Sequence, residues 1–172
     1  MAIRVFLISE CTLITLGLER LFESRQSQFE LVASAAAFEA PTLGAVAAAA
    51  PEVLLLDIDS NNPPRLLSLI AHMRSALPGI RILLLTQHKD AAFQDRAVLS
   101  GACGVVDKKA SPDLLIRAIG KVHEGQLWLD HETTKRIFFQ ISAGGSSKVP
   151  AADKTSKLTT RERQIVGFFA RN

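Results

Sequence analysis

The sequence predicts an α/β fold, a doubly wound parallel sheet of five strand–helix units, and three observations carry that expectation. Five short apolar runs, at residues 4–9, 29–35, 53–58, 81–86 and 104–108, place Val, Ile and Leu at adjacent positions. Runs that are apolar without alternation suit strands buried on both faces, as in a parallel sheet. Their starts lie about 25 residues apart, room for one crossover helix each, and the segments between them carry helix-start signals.

The first such segment has Thr12 ahead of Leu13, Leu16, Leu21 and Phe22, and the second is the alanine-rich stretch 36–50. Asp90 precedes Ala91 and Phe93, and Ser111-Pro112-Asp113 joins a capping hydroxyl, a proline at the first helical position and an early acid. Right-handed crossovers then give a flavodoxin-like sheet of strand order 2-1-3-4-5 with helices on both faces. Gly125 closes the fifth unit, and Asp130 is placed to cap a further helix through Ile141, with Ile137, Phe138 and Ile141 on its apolar side.

Beyond that helix, Ala143-Gly-Gly-Ser-Ser and the stretch to Lys157 read as a flexible linker. A new helix is expected from Thr159 or Thr160, with Ile165, Val166, Phe168 and Phe169 as its apolar stripe. One such helix cannot bury its own stripe, so the sequence reads as stopping inside a second domain. The expected organisation is a first domain over 1–124, a connecting helix and linker over 125–157, and an incomplete all-α domain over 158–172.

Composition excludes several classes. The chain of 172 residues is 48% hydrophobic and 22% charged, enough to bury a substantial core. The longest apolar runs fall far short of the ~20 residues of a membrane-spanning helix, and Arg4, Ser9 and Glu10 interrupt the opening stretch, which argues against a signal peptide. A cytoplasmic protein without membrane attachment is expected. Cys11 and Cys103 form no metal-ligand spacing and read as free thiols, and His72, His88, His123 and His131 are scattered. Residues 141–172 hold six Lys/Arg against Asp153 and Glu162, a balance of +4, which leaves −1 for residues 1–140. That basic tail fits a solvated linker or the approach to a nucleic-acid-binding module.

In an open parallel sheet, ligands bind at the carboxyl ends of the strands where the order reverses, here between strands 1 and 3. The residues that end the apolar runs are Ser9 and Glu10, Asp57, Thr86 and Lys108. Two acids, hydroxyls and an ammonium converging from four strands suit phosphoryl transfer to an aspartate. Asp57 is the expected nucleophile, and Glu10 with Asp57 would hold magnesium, which takes few carboxylates plus water and phosphate oxygens. Lys108 would place a positive charge on one phosphoryl oxygen and Thr86 would donate to another. A flavodoxin-like enzyme or nucleotide binder needs a glycine-rich loop after strand 1, and Ser9-Glu-Cys-Thr-Leu contains no glycine.

At these residues the chain resembles the receiver domain of NarL/FixJ-family response regulators, over residues 3–124. Ile3-Arg-Val-Phe-Leu-Ile-Ser-Glu-Cys-Thr-Leu, Pro51-Glu-Val-Leu-Leu-Leu-Asp-Ile, Ile82-Leu-Leu-Leu-Thr and Gly101-Ala-Cys-Gly-Val-Val-Asp-Lys-Lys-Ala-Ser-Pro-Asp carry the resemblance, in the family's order. Gly125-Gln-Leu-Trp-Leu-Asp is similar to the segment after the receiver. Leu158-Thr-Thr-Arg-Glu-Arg-Gln-Ile-Val looks like the start of a LuxR-type helix-turn-helix domain. The resemblance implies a transcription regulator rather than an enzyme: a sensor histidine kinase phosphorylates Asp57, Mg2+ is held by Glu10, Asp57 and the backbone carbonyl of Asp59, and a homodimer binds DNA through its complete C-terminal domain. The sequence ends before a recognition helix, so these 172 residues are not expected to bind DNA specifically.

Four positions depart from the family pattern. Ser9 stands where the first of two adjacent acids is usual, Val105 where an aromatic switch residue is expected, Asn61-Asn62-Pro63-Pro64 replaces the customary loop after strand 3 with Asn61 where proline is expected, and Gln87 follows Thr86 where a small residue gives freer access. Ser9 and Val105 leave open a second reading, a pseudo-receiver acting as a phosphorylation-independent interaction or dimerisation module.

Overall fold

A computed structural model describes residues 1–36, 40–57 and 63–144. It contains the strands β1 (Ile3–Ser9), β2 (Phe29–Ala35), β3 (Val53–Asp57), β4 (Arg81–Thr86) and β5 (Ala102–Asp107). The helices are α1 (Thr12–Glu23), α2 (Ala40–Ala49), α3 (Pro63–Ala76), α4 (Ala91–Ser100), α5 (Pro112–His123) and α6 (His131–Gly144). The strands form one parallel sheet of order β2-β1-β3-β4-β5, as the spacing of the apolar runs predicts.

The continuous apolar runs are explained by two cores, one on each face. Alternate residues Val5 and Leu7, Val53 and Leu55, and Leu83 and Leu85 pack with Leu18 and Phe22 of α1, Ile119 and Val122 of α5, and Ile137 and Ile141 of α6. Their neighbours Phe6 and Ile8, Leu54 and Leu56, and Ile82 and Leu84 pack on the other face with Val46 of α2, Ile70 and Met73 of α3, and Phe93 of α4. Burying one such side chain stabilises the fold by about 1.5–3 kcal/mol. The central strand β3 is buried along its whole length, so its one charged residue, Asp57, must find partners inside the protein.

Helix starts follow local chemistry. Asp90 caps α4 by accepting from the Ala92 amide, and Ser111 caps α5 by accepting from Leu114, with Pro112 at the first turn. Asp130 caps α6 through a 2.7 Å bond from the Thr133 amide. Gly125, with φ +85°, ends the fifth unit. Three local expectations are corrected. The N-cap of α1 is Cys11, with Thr12 already helical, because the Cys11 carbonyl accepts from the Thr15 amide. Pro63 and Pro64 open α3 instead of extending the preceding loop, as proline at a first turn gives up no intrahelical bond. β5 begins at Ala102, earlier than the apolar run at 104.

The segment before α6 extends the sheet. The Trp128 amide donates to the Cys103 carbonyl at 2.9 Å and the Val105 amide donates to the Trp128 carbonyl at 3.2 Å, so Trp128 bridges to Gly104 along the outer edge of β5. Gly104 permits this approach, since a Cβ there would lie 2.7 Å from both Trp128 Cβ and its carbonyl oxygen. α6 then packs on α4, where the Arg136 guanidinium meets the Asp95 carboxylate in a bidentate pair, Nε–Oδ2 3.0 Å and Nη2–Oδ1 3.0 Å. Asp95 is 2% exposed, and its hydrogen bonds and charge hold the Arg136 guanidinium above its usual value. The clamp turns Ile137 and Ile141 inward and leaves Phe138 exposed, its ring edge-on to Phe139, a correction to the expected apolar side of this helix.

The expected linker and second-domain helix, over 145–172, lie outside the described residues. Among those described, no helix is long and apolar enough to cross a membrane.

Candidate phosphoryl-acceptor site

The register of four strands brings the predicted strand-end residues together. Ser9 pairs with Asp57 across β1 and β3, Asp57 with Leu85 across β3 and β4, and Thr86 with Asp107 across β4 and β5. Each of Ser9, Asp57 and Thr86 is the last residue of its strand, and Lys108 follows the last residue of β5. The site therefore sits where β1 and β3 are neighbours and their connections leave to opposite faces.

Asp57, 1% exposed, is the centre of the arrangement. The Ser9 hydroxyl donates to Oδ2 at 2.5 Å, and the Lys108 ammonium stands 2.5 Å from Oδ1. Oδ1 meets that ammonium as an ion pair and accepts no directed hydrogen bond from the described residues. The Lys108 side chain is 7% exposed, so the pair lies in a medium where opposite charges attract far more strongly than in water. Asp107, the acid next to Lys108 in sequence, takes no part. Its carboxylate accepts from the Lys109 amide at 2.8 Å in a local turn, which directs Lys108 to Asp57.

Thr86 is 2% exposed, and its hydroxyl oxygen accepts from the His88 amide at 3.1 Å. The Thr86 carbonyl accepts from the Lys108 amide at 3.1 Å, which ties the ends of β4 and β5 together beside Asp57. Glu10 directly follows Ser9 and is exposed, as is Cys11, although a small cysteine there is more commonly buried. Gln87 is exposed and Val105 half-buried, packed against both cores. Asp59 and Asn61 lie outside the described residues.

Two relationships are not legible as site features in sequence. One is the direct Ser9–Asp57 hydrogen bond, whose only signal is that both residues end apolar runs. The other is the Asp95–Arg136 clamp, which joins residues of two helices with no motif to pair them.

No protein-family model matches the chain. Among solved structures it is similar to the receiver domain of the putative response regulator NarL from Mycobacterium tuberculosis, with a TM-score of 0.62 and 24% identity, covering 73% of this chain and 98% of that one. It is similar also to the isolated receiver domain of RcsB from Salmonella enterica serovar Typhimurium, with a TM-score of 0.64 and 16% identity, covering 78% and 98%. Those likenesses establish the fold. In sequence it is 28% identical over 172 residues to the DNA-binding transcriptional activator DevR/DosR of Mycobacterium tuberculosis, 98% of this chain and 74% of that relative. This relative supports the resemblance of the chain to the NarL/FixJ family of response regulators. The transcriptional regulatory protein LnrK of Bacillus subtilis is 29% identical over 122 residues, 67% of this chain and 54% of that protein. The chain thus spans about half the length of most of the curated relatives it matches.

Proposed function

We propose that the domain accepts a phosphoryl group on Asp57 from a sensor histidine kinase. The observation that carries this reading is the buried Asp57 carboxylate at the switch point, met by the Lys108 ammonium on one oxygen and the Ser9 hydroxyl on the other. A carboxylate oxygen of Asp57 attacks phosphorus, the P–N bond of the kinase phosphohistidine breaks, and the electron pair leaves with the imidazole nitrogen. Lys108 stabilises charge on a phosphoryl oxygen, and Thr86, turning its hydroxyl from the loop toward the new group, donates to another.

The donor set fits magnesium. Each carboxylate oxygen of Asp57 has one near partner and retains acceptor capacity, Glu10 follows on the same rim, and since no three His/Cys/Asp/Glu side chains group among the described residues, water and phosphate oxygens would supply the remaining ligands. Glu10, Asp57 and the backbone carbonyl of Asp59 would hold the ion. When bound it supplies positive charge between the attacking and incoming anionic oxygens.

The whole protein is then a transcription regulator that acts as a homodimer and binds DNA through a LuxR-type domain to which residues 158–172 would belong. The four rim residues argue for this over the phosphorylation-independent module, because a module that only associates needs no ammonium against a buried strand-end carboxylate. Incubation of the chain with Mg2+ and acetyl phosphate, followed by intact mass, is expected to show one added phosphoryl group. Asp57→Asn is expected to abolish it; an adduct of the same yield on that variant overturns the assignment.

A further inference from the structure

The loop after β4 and the connecting helix α6 are held by consecutive residues of one helix. The Thr86 hydroxyl fixes the His88 amide at 3.1 Å, and the His88 carbonyl accepts from the Gln94 amide side chain at 3.0 Å. The His88 ring lies against Phe93, with centroids 5.4 Å apart. Asp95, the next residue of α4, takes Arg136 of α6 on both its oxygens, and Arg136 Nη2 also donates to Thr133 at 2.9 Å. Phe93 and Gln94 therefore read the position of the loop, and Asp95 holds the helix that leads to the C-terminal segment.

Two features make this more than packing. A carboxylate as buried as Asp95 is costly to leave unpaired, so any release of α6 must break the pair and hydrate Asp95 together. The direct path from Thr86 to α6 is open space: a cavity of about 200 Å³ separates Thr86 and Val105 from Leu129 and Thr133, with His88 and Gln94 along its side. The small Val105 side chain cannot carry a displacement across that gap.

We propose that α4, through Gln94 and Asp95, couples the seating of α6 to the position of the Thr86 hydroxyl. When Thr86 turns toward the Asp57 site it gives up the His88 amide, the His88–Gln94 contact shifts, and the equilibrium between seated and released α6 moves with it. What moves Thr86 rests on the phosphoryl-acceptor reading; the coupling itself belongs to the unmodified chain.

Both parts are tested on the 172-residue chain by amide hydrogen exchange over residues 131–144. Thr86→Val removes the acceptor for His88 while keeping the side-chain shape, and Arg136→Met removes the cation from Asp95, leaving it only the Gln140 side-chain amide at 3.4 Å. Each is expected to raise exchange of α6 by about fivefold or more, and Thr86→Val to have less than about a twofold effect once Arg136 is replaced. Unchanged α6 exchange in Thr86→Val, or fully multiplicative effects in the double variant, overturns the coupling. Acetyl phosphate with Mg2+ separates it from the earlier reading. An adduct with no change in α6 exchange overturns the coupling and leaves Asp57 as acceptor, whereas no adduct overturns the acceptor and leaves the coupling to be decided by the variants.

Discussion

The Ser9 hydroxyl donates to Asp57 Oδ2 at 2.5 Å while its oxygen accepts from the Cys11 amide at 3.1 Å, so one small side chain links the buried Asp57 carboxylate to the turn that starts α1. In the receiver pattern that the sequence resembles, an acid is usual here. A hydroxyl orients Asp57 without adding charge, whereas a carboxylate would repel it and attract a cation. Ser9→Asp is therefore expected to tighten Mg2+ binding about tenfold by calorimetry, since affinity for a hard cation rises with ligand charge, and to lower the urea midpoint when Mg2+ is absent. Ser9→Ala removes a bond to a charged group and is expected to cost about 1.5–3 kcal/mol. Equal Mg2+ affinity in the native chain and Ser9→Asp would show that this position faces away from the ion.

Lys108 presents the complementary case. Replacing it with Met keeps the stem but leaves Asp57 buried with no ammonium on Oδ1. Urea denaturation without Mg2+ is expected to show a loss of about 3 kcal/mol, the usual scale for breaking a buried pair from one side. Added Mg2+ should recover part of it, because a ligand that binds only the folded state stabilises it by mass action. A variant as stable as the native chain in Mg2+-free buffer would mean that the pair contributes nothing to the resting fold.

What can be read from the residues, and what cannot, follows from the range of the interactions involved. The strands are legible because burial on both faces leaves an unbroken apolar run, and the rim follows because Ser9, Asp57, Thr86 and Lys108 each end one. Asp90, Ser111 and Asp130 are legible as caps because capping acts over three residues. The start of β5 is hidden because Ala102 and Cys103 are small and carry little strand signal, although both are buried. Periodicity alone points Phe138 to the core, and its true orientation is set by the Asp95–Arg136 pair, which depends on α4 and α6 meeting in space. Proline at 63 and 64 points equally to a loop and to a helix start, and local chemistry does not choose between them.

At the opposite end of the sheet, Glu52 supplies a pH-dependent contribution. The Arg4 amide donates to its Oε2 at 3.1 Å and the His123 ring stands 3.0 Å from Oε1, and these bonds, the first above all, hold its carboxyl below the ordinary value. A carboxyl whose pKa is lower folded than unfolded binds fewer protons in the folded state. Its contribution is complete above the unfolded value and is lost as pH falls through the folded one. Urea midpoints measured from about pH 6 to about pH 3 should therefore fall less steeply for Glu52→Gln than for the native chain. Parallel curves would exclude Glu52 from the acid response.

Gly104 and Trp128 give the most direct reading of the edge that leads into α6. A methyl at residue 104 would stand 2.7 Å from Trp128 Cβ and its carbonyl oxygen and 3.0 Å from Leu83 Cδ1, and the first two cannot give way without moving the bridged segment. Gly104→Ala is expected to cost about 1–3 kcal/mol, as overpacking does, and to lift Trp128 off β5. Trp128 is the single tryptophan of the chain, so its emission reports that displacement alone. A red-shifted emission below the unfolding transition, with the β-sheet signal unchanged, is the expected result. Only Leu129 separates Trp128 from Asp130, the cap of α6, so faster exchange of α6 amides should accompany the shift. Native emission in a destabilised variant would place the strain on Leu83 instead of on the bridge.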